Sequence, residues 1–221
     1  QPLFTMIVFS VFFGRLARLP SDGIPYPVFT LAALLPWTLF ANALSSSSNS
    51  LVGNQALLKK VYFPRLVIPT AAVLEGLPDF LVAMVLLVGA MAFYGLVPTV
   101  NVLWLPAFVL LAVASALSIG LWLAAVNVEY RDVRYTIPFL VQLWLFATPV
   151  AYSSSLVPER WRPLYGLNPM AGVVDGFRWA LFGRGAAPGA IVAVSAAAVV
   201  VIFLGGLAYF RRMERTFADV L

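Results

Sequence analysis

The chain contains neither cysteine nor histidine. Without cysteine there is no disulfide framework and no thiolate nucleophile, and the redox compartment leaves no mark on the sequence. Without histidine the commonest general base and the commonest metal ligand are gone, which excludes a triad hydrolase and a His-ligated zinc site. Charge is scarce too: 10% of the 221 residues are charged and 62% are hydrophobic, with a mean hydropathy of +0.95. An ordinary soluble domain carries about 25% charged residues. This is the composition of an integral membrane protein. The net charge of +5 comes from short basic clusters between apolar runs rather than from one basic face, so the chain does not read as a nucleic-acid binder.

What is present is a series of apolar runs, judged against the roughly 20 residues needed to cross about 30 Å of hydrocarbon. They cover 2–14, 28–48, 67–94, 102–126, 136–154 and 189–209, which predicts an all-α polytopic bundle of six transmembrane helices in a single transmembrane domain over 1–221. The first run is short and the chain opens on Gln1, so we expect upstream sequence and a truncated first span. No cleavage-type small-residue site follows that run, which argues against a signal peptide. Pro36, Pro69, Pro78, Pro138 and Pro149 lie inside the runs, where neighbouring helices can satisfy the freed backbone groups. Six crossings place Lys59, Lys60, Arg65, Arg131, Arg134, Arg211, Arg212 and Arg215 on one side. Arg15, Arg18, Arg160, Arg162, Arg178 and Arg184 fall on the other. The richer side is then cytoplasmic, with both termini on it.

Two short cytoplasmic loops carry the sharpest patterns. "NVEYRDVRY" (127–135) packs Glu129, Arg131, Asp132 and Arg134 around Tyr130, between two uncharged runs. "GNQALLKKVYFPR" (53–65) has Asn54 as an N-cap and Pro64 as a stop. Between them Leu57, Leu58, Val61 and Tyr62 share one helical face and Lys59 and Lys60 point elsewhere. The pattern fits an amphipathic helix at the membrane surface, serving either as an interfacial anchor or as a docking element. On the other side, "NPMAGVVDGFRWALFGRG" (168–185) is too short to span. Asn168 and Pro169 predict a helix start and Gly183 a stop. Asp175 and Arg178, three apart, are placed to pair, and Val174, Phe177 and Leu181 form an apolar stripe. The segment reads as a re-entrant or interfacial exit helix.

"LLKKVYFPR", "NVEYRDVRYTIPFLVQLWLFATPVAY", "LVPERWRPLYGLNPMAGVVDGFRWALFG" and "YFRRMERTFADVL" together resemble the membrane subunits of bacterial ATP-binding-cassette exporters of polysaccharides, the O-antigen, capsule and teichoic-acid permeases. The resemblance runs through essentially the whole chain. It implies a six-helix inner-membrane permease that acts as a homodimer with two copies of a separate ATPase and passes a lipid-linked glycan outward. It also implies that ATP and magnesium sit on the partner, this chain being no enzyme and holding no cofactor or metal. A drug or lipid exporter of the same fold is the alternative.

The residues agree on one point: the only lysines are Lys59 and Lys60, and no G-x-x-x-x-G-K-[ST] phosphate loop exists. On this reading the ATPase-coupling residues are Leu57, Leu58, Lys59, Lys60, Tyr62, Arg65, Glu129, Tyr130, Arg131, Asp132 and Arg134. Glu75 and Asp79, one turn apart in the third run, are the only candidates for an intramembrane ion site, and helix packing explains them as well. Aromatic faces pack on sugar C–H surfaces without fixing one hydroxyl pattern, so Trp37, Phe40, Trp144, Phe146 and Tyr152 are the expected substrate-path residues. Asn168, Pro169, Asp175, Phe177 and Arg178 are those of the exit helix.

Overall fold

The structure, a computed structural model, describes residues 2–60, 64–130, 132–184, 187 and 189–214, with Lys59 and Lys60 as backbone alone. Among the described residues every regular element is helical. In chain order they are α1 (Pro2–Phe9), continued as a π-helical turn over Ser10–Leu16, α2 (Tyr26–Gly53), α3 (Gln55–Lys60), α4 (Val67–Leu74), α5 (Leu77–Phe93), α6 (Leu105–Glu129), α7 (Val133–Ala147), α8 (Arg162–Tyr165), α9 (Pro169–Phe182) and α10 (Gly189–Met213).

Among the described residues four helices are long and apolar enough to cross a membrane: Tyr26–Gly53, Val67–Phe93 (α4 and α5 together), Val100–Glu129 and Gly189–Met213. The first and fifth expected spans are shorter apolar helices, Pro2–Leu16 and Val133–Ala147. The fifth stops at Ala147 instead of running to 154. Pro149 disfavours α geometry at the residue before it, and Thr148 is extended, with φ −105° and ψ 144°. The signal was in the sequence.

α2 is the central pillar. Most of its side chains between Val28 and Leu51 are buried, against α1, α4, α5, α6 and α9. Small residues let α6 come close: a Cβ on Gly120 would collide with Ser47 of α2. Between membrane helices such close approach, and hydrogen bonds across the seam, replace the hydrophobic drive that lipid does not supply. Asn127 Nδ2 donates across it to Ser48 O at 3.0 Å and to Asn49 Oδ1 at 3.2 Å. The α4–α5 rod breaks at Glu75–Gly76, just before Pro78, which supplies no backbone N–H.

Asn54 corrects its expected role. Its side-chain Nδ2 turns back to Ser50 O at 2.8 Å and closes α2, while its backbone carbonyl accepts from Leu57 and Leu58 to open α3. The caps of α9 lie where the sequence puts them. Asn168 Oδ1 accepts from Met170 N at 3.1 Å, and Gly183 ends the helix at φ +61°, a left-handed cap that glycine adopts without a Cβ penalty.

α9 is too short to span, yet it lies among α2, α6 and α10, with Phe177, Met170, Val173 and Val174 fully enclosed. That seat depends on two glycines: a Cβ on Gly172 would strike Ser195 of α10, and one on Gly176 would enter the ring of Phe108 of α6. Gly176→Ala should therefore cost about 1–3 kcal/mol through overpacking, seen as a fall of several degrees in Tm in fluorescence-detected unfolding. Gly89→Ala, at a position with nothing within 4 Å, should leave Tm unchanged or raise it.

Candidate functional site

The site has two ends, connected by α7. At one end Arg178 of α9 is the only charged side chain among the buried described residues. Its Nε donates to Phe29 O (3.2 Å), Nη1 to Pro149 O (2.6 Å) and Tyr152 O (3.2 Å), and Nη2 to Val150 O (2.7 Å). The guanidinium also sits 3.5 Å from the centre of the Phe29 ring. The expected Asp175–Arg178 ion pair is not formed: among the described residues the only pair within 4 Å is Arg162 with Glu159. The reason is reach. The planar fork of five N–H donors matches a cluster of carbonyls at the end of α7 better than one carboxylate a helical turn away. Burial lowers Arg178 to about 10, opposed by Asp175 and Asp22, so it stays charged at neutral pH. Burial raises Asp175 in turn, opposed by a hydrogen bond from Ser154 and by the charge of Arg178.

A second set of bonds reinforces the joint. Asn168 Nδ2 donates to Ala147 O at 3.1 Å and Thr148 Oγ1 at 3.0 Å, and Trp144 Nε1 donates to Asn168 Oδ1 at 2.9 Å. Tyr165 Oη donates to Ala147 O at 3.0 Å and lies 2.8 Å from Tyr152 Oη. The last carbonyls of a helix have no intrahelical partner. Here side chains from the α8–α9 region satisfy those of α7 and of the turn after it.

Elsewhere α7 is barely held. Ile137 is its only buried residue, and an apolar groove of about 380 Å3, lined by Leu44, Ile119, Ile137 and Trp144 among others, separates it from α2 and α6. Its outer face carries Tyr135, Phe139, Gln142 and Phe146 at helical spacing, with the three aromatic rings 68%, 59% and 55% exposed.

At the far end of α7 the charged loop is open. Glu129, Tyr130, Asp132 and Arg134 are exposed, and none of these charges has an opposite charge within 4 Å among the described residues. Arg134 stacks on Tyr135 at 4.5 Å and donates to its hydroxyl. Leu57 is exposed, whereas Leu58 packs on the cluster of Leu51, Ile68 and Phe210. Arg65 donates to Glu214 O and ties the start of α4 to the end of α10. Tyr62, Arg131 and the side chains of Lys59 and Lys60 lie outside the described residues.

The path residues divide. Trp37 and Phe40 are 4% and 0% exposed and belong to the core, with Phe40 edge-on to Trp144 at 5.4 Å. They fall on the face of α2 that packs inward. Trp144 and Tyr152 are half-buried in the joint, and only Phe146 faces outward. Pro169 and Phe177 are buried in the α9 seat. Tyr165, Phe139 and Gln142 were not singled out in the sequence, although the i, i+4, i+7, i+11 spacing of Tyr135, Phe139, Gln142 and Phe146 was there to read. Glu75 and Asp79 border a polar groove of about 400 Å3 with Asn42, Ser45 and Ser46.

Residues 1–182 match the ABC-2 type transporter family. The chain belongs to this family. Among curated relatives it is 32% identical over 219 residues to the O-antigen export system permease protein RfbA of Myxococcus xanthus, covering 97% of this chain and 83% of that one. It is 28% identical over 223 residues to the protein of the same name from Klebsiella pneumoniae, covering 100% and 85%. It is also similar to the inner membrane transport permease YadH of Escherichia coli K12, 26% identical over 219 residues, covering 92% and 81%. This ABC-2 chain is thus a multi-pass membrane protein whose α7 is pinned at one end and free at the other.

Hydrogen bonds from a charged donor contribute about 1.5–3 kcal/mol each. Arg178→Met in this ABC-2 permease should therefore lower thermal stability by about 3 kcal/mol or more, measured by tryptophan-monitored unfolding in detergent. Asp175→Asn should cost clearly less. Equal losses would return the ion pair to the centre of the site.

Proposed function

We propose that the chain is the transmembrane subunit of an ATP-driven exporter that moves a lipid-linked polysaccharide, of the O-antigen, capsule or teichoic-acid kind, across the bacterial inner membrane. It works as a homodimer with two copies of a separate ATP-binding-cassette ATPase that holds ATP and magnesium. The expected six crossings count Pro2–Leu16 and Val133–Ala147 with the four long helices, and both termini are cytoplasmic.

The observation that carries this reading is α7. Its charged loop stands open at one end, its other end is bonded to α9, and its length is little packed. Such a helix transmits a push on the loop to α9. Exposed ion pairs contribute only about 0–1 kcal/mol, so Glu129, Arg131, Asp132 and Arg134 do little for folding. Complementary charges do fix the orientation of a partner, and we assign the loop, with α3, to the ATPase. Tyr135, Phe139, Gln142 and Phe146 then face a second copy across the path, where flat rings let a sugar chain slide. A drug or lipid exporter is the second reading, because the YadH relative is named only as a transport permease.

Asp132→Lys or Arg131→Glu should leave insertion and dimerisation intact while reducing ATPase co-purification, or the export it drives, by tenfold or more; unchanged capture and unchanged surface glycan would reject the coupling role. Because the chain has no native cysteine, single Phe139→Cys and Phe146→Cys variants should form disulfide-linked dimers in oxidised membranes. Exclusively monomeric products would reject the two-fold path. Glycan-stimulated ATPase activity of the co-purified complex separates the polysaccharide reading from the drug and lipid one.

A further inference from the structure

Beside the α7–α9 joint lies a second feature that the transport reading leaves unused. A cleft of about 560 Å3 opens between the turn before α2, the segment 153–163, the second half of α9 and the start of α10. Its size falls inside the roughly 300–1,000 Å3 range of small-molecule sites. Three arginines border it, and all three are engaged by the fold. Arg178 holds the carbonyls already described. Arg184 Nη1 donates to Asp22 O and Gly23 O. Arg162 donates to Val157 O at 3.1 Å and Ser155 O at 3.5 Å, and lies 3.8 Å from Glu159. Three carboxylates, those of Asp22, Glu159 and Asp175, line the cleft beside the three guanidiniums, so it carries no excess positive charge to hold a phosphate or a carboxylate ligand.

What remains toward the open space is a set of acceptors and hydroxyls beside an aromatic face. One oxygen of the Asp22 carboxylate is fixed by Ser153 Oγ at 2.5 Å, while the other takes a longer bond from the exposed Ser155 hydroxyl at 3.3 Å. A ligand hydroxyl can replace that second bond at little cost. The half-buried indole of Trp179 lines the same cleft, and its N–H has no hydrogen-bond partner among the described residues. A charged acceptor for hydroxyl donors, an indole donor and a flat apolar surface form the combination that receives a pyranose ring, C–H face on the aromatic and hydroxyls on the carboxylate.

We infer that this cleft is a binding subsite for a neutral hexopyranose unit, with Trp179 as the stacking platform and Asp22 as the hydroxyl acceptor. The inference rests on the polysaccharide reading and specifies its ligand chemistry. Asp22 and Ser153 meet Trp179 of α9 in this cleft, so the subsite adjoins the helix that the transport reading sets in motion.

The test uses the purified full chain in lipid nanodiscs, titrated with the methyl glycosides of mannose, glucose, galactose and rhamnose while saturation-transfer NMR reports contact. At least one glycoside should bind at millimolar strength, and Asp22→Asn or Trp179→Ala should weaken it tenfold or more. Trp104→Ala, at an exposed indole that does not line the cleft, should bind as the parent does. Trp179→Phe, which keeps a flat ring, should retain part of the affinity and serves if the alanine variant fails to fold. No contact with any of the four at about 50 mM overturns the subsite, as does binding that ignores both cleft substitutions. Binding of glucuronate or calcium ion alone overturns it as well. If the parent exports glycan in cells and the cleft variants bind and export like it, the subsite alone fails. If the parent exports none, the failure belongs to the transport reading.

Discussion

A guanidinium taken out of water must be surrounded by acceptors or it will not stay buried. Arg178 meets that condition with carbonyls from two places distant in sequence: the start of α2 and the turn after α7, from Pro149 to Tyr152. Each place is thereby fixed relative to α9. The Phe29 ring closes the remaining face, and Asn168, Tyr165 and Trp144 extend the same joint to the last turn of α7. The glycine seats at Gly172 and Gly176 hold the other side of α9 against α10 and α6. Without the buried cation, the turn after α7 would present unpaired carbonyls inside the protein.

The distribution of packing follows from that arrangement. α2 is sealed along nearly its whole length, and α6 lies on it through small residues and the Asn127 bonds. α7 gains no such contact and keeps one buried side chain. A bundle with a firmly packed wall and, at α7, a loosely packed helix separates the part that keeps the fold from a part with room to tilt. A helix of this length is about 22 Å long at 1.5 Å per residue, so a tilt of about 10° about its bonded end displaces the charged loop by about 4 Å.

How much could be read from the sequence depended on the range of the interaction. The caps Asn168 and Gly183 act within a turn of their own residues, and they were placed correctly. The all-helical, membrane-spanning character follows from composition alone. Pro149 marked the true end of α7, but uninterrupted hydropathy to Tyr152 hid it. The Asp175–Arg178 spacing suggested a pair because sequence displays charges and never displays free carbonyls, so the true partners of Arg178 could not be seen. Trp37 and Phe40 lie on the buried face of α2, and aromatic character alone does not say which face of a helix points inward. Asn54 was legible as a boundary but not in its direction, since the same amide can close one helix or open the next.

The loose seating of α7 bears on how such a protein can change over generations. Side chains on its outer face have almost no part in holding the bundle together, so replacing them taxes folding little, whereas replacements on α2 or α9 strike glycine seats and buried polar bonds. A lineage can alter Tyr135, Phe139, Gln142 or Phe146 while keeping the scaffold it already has. On the transport reading proposed above that face meets the cargo, and new cargo is then reached most readily by drift along one helix.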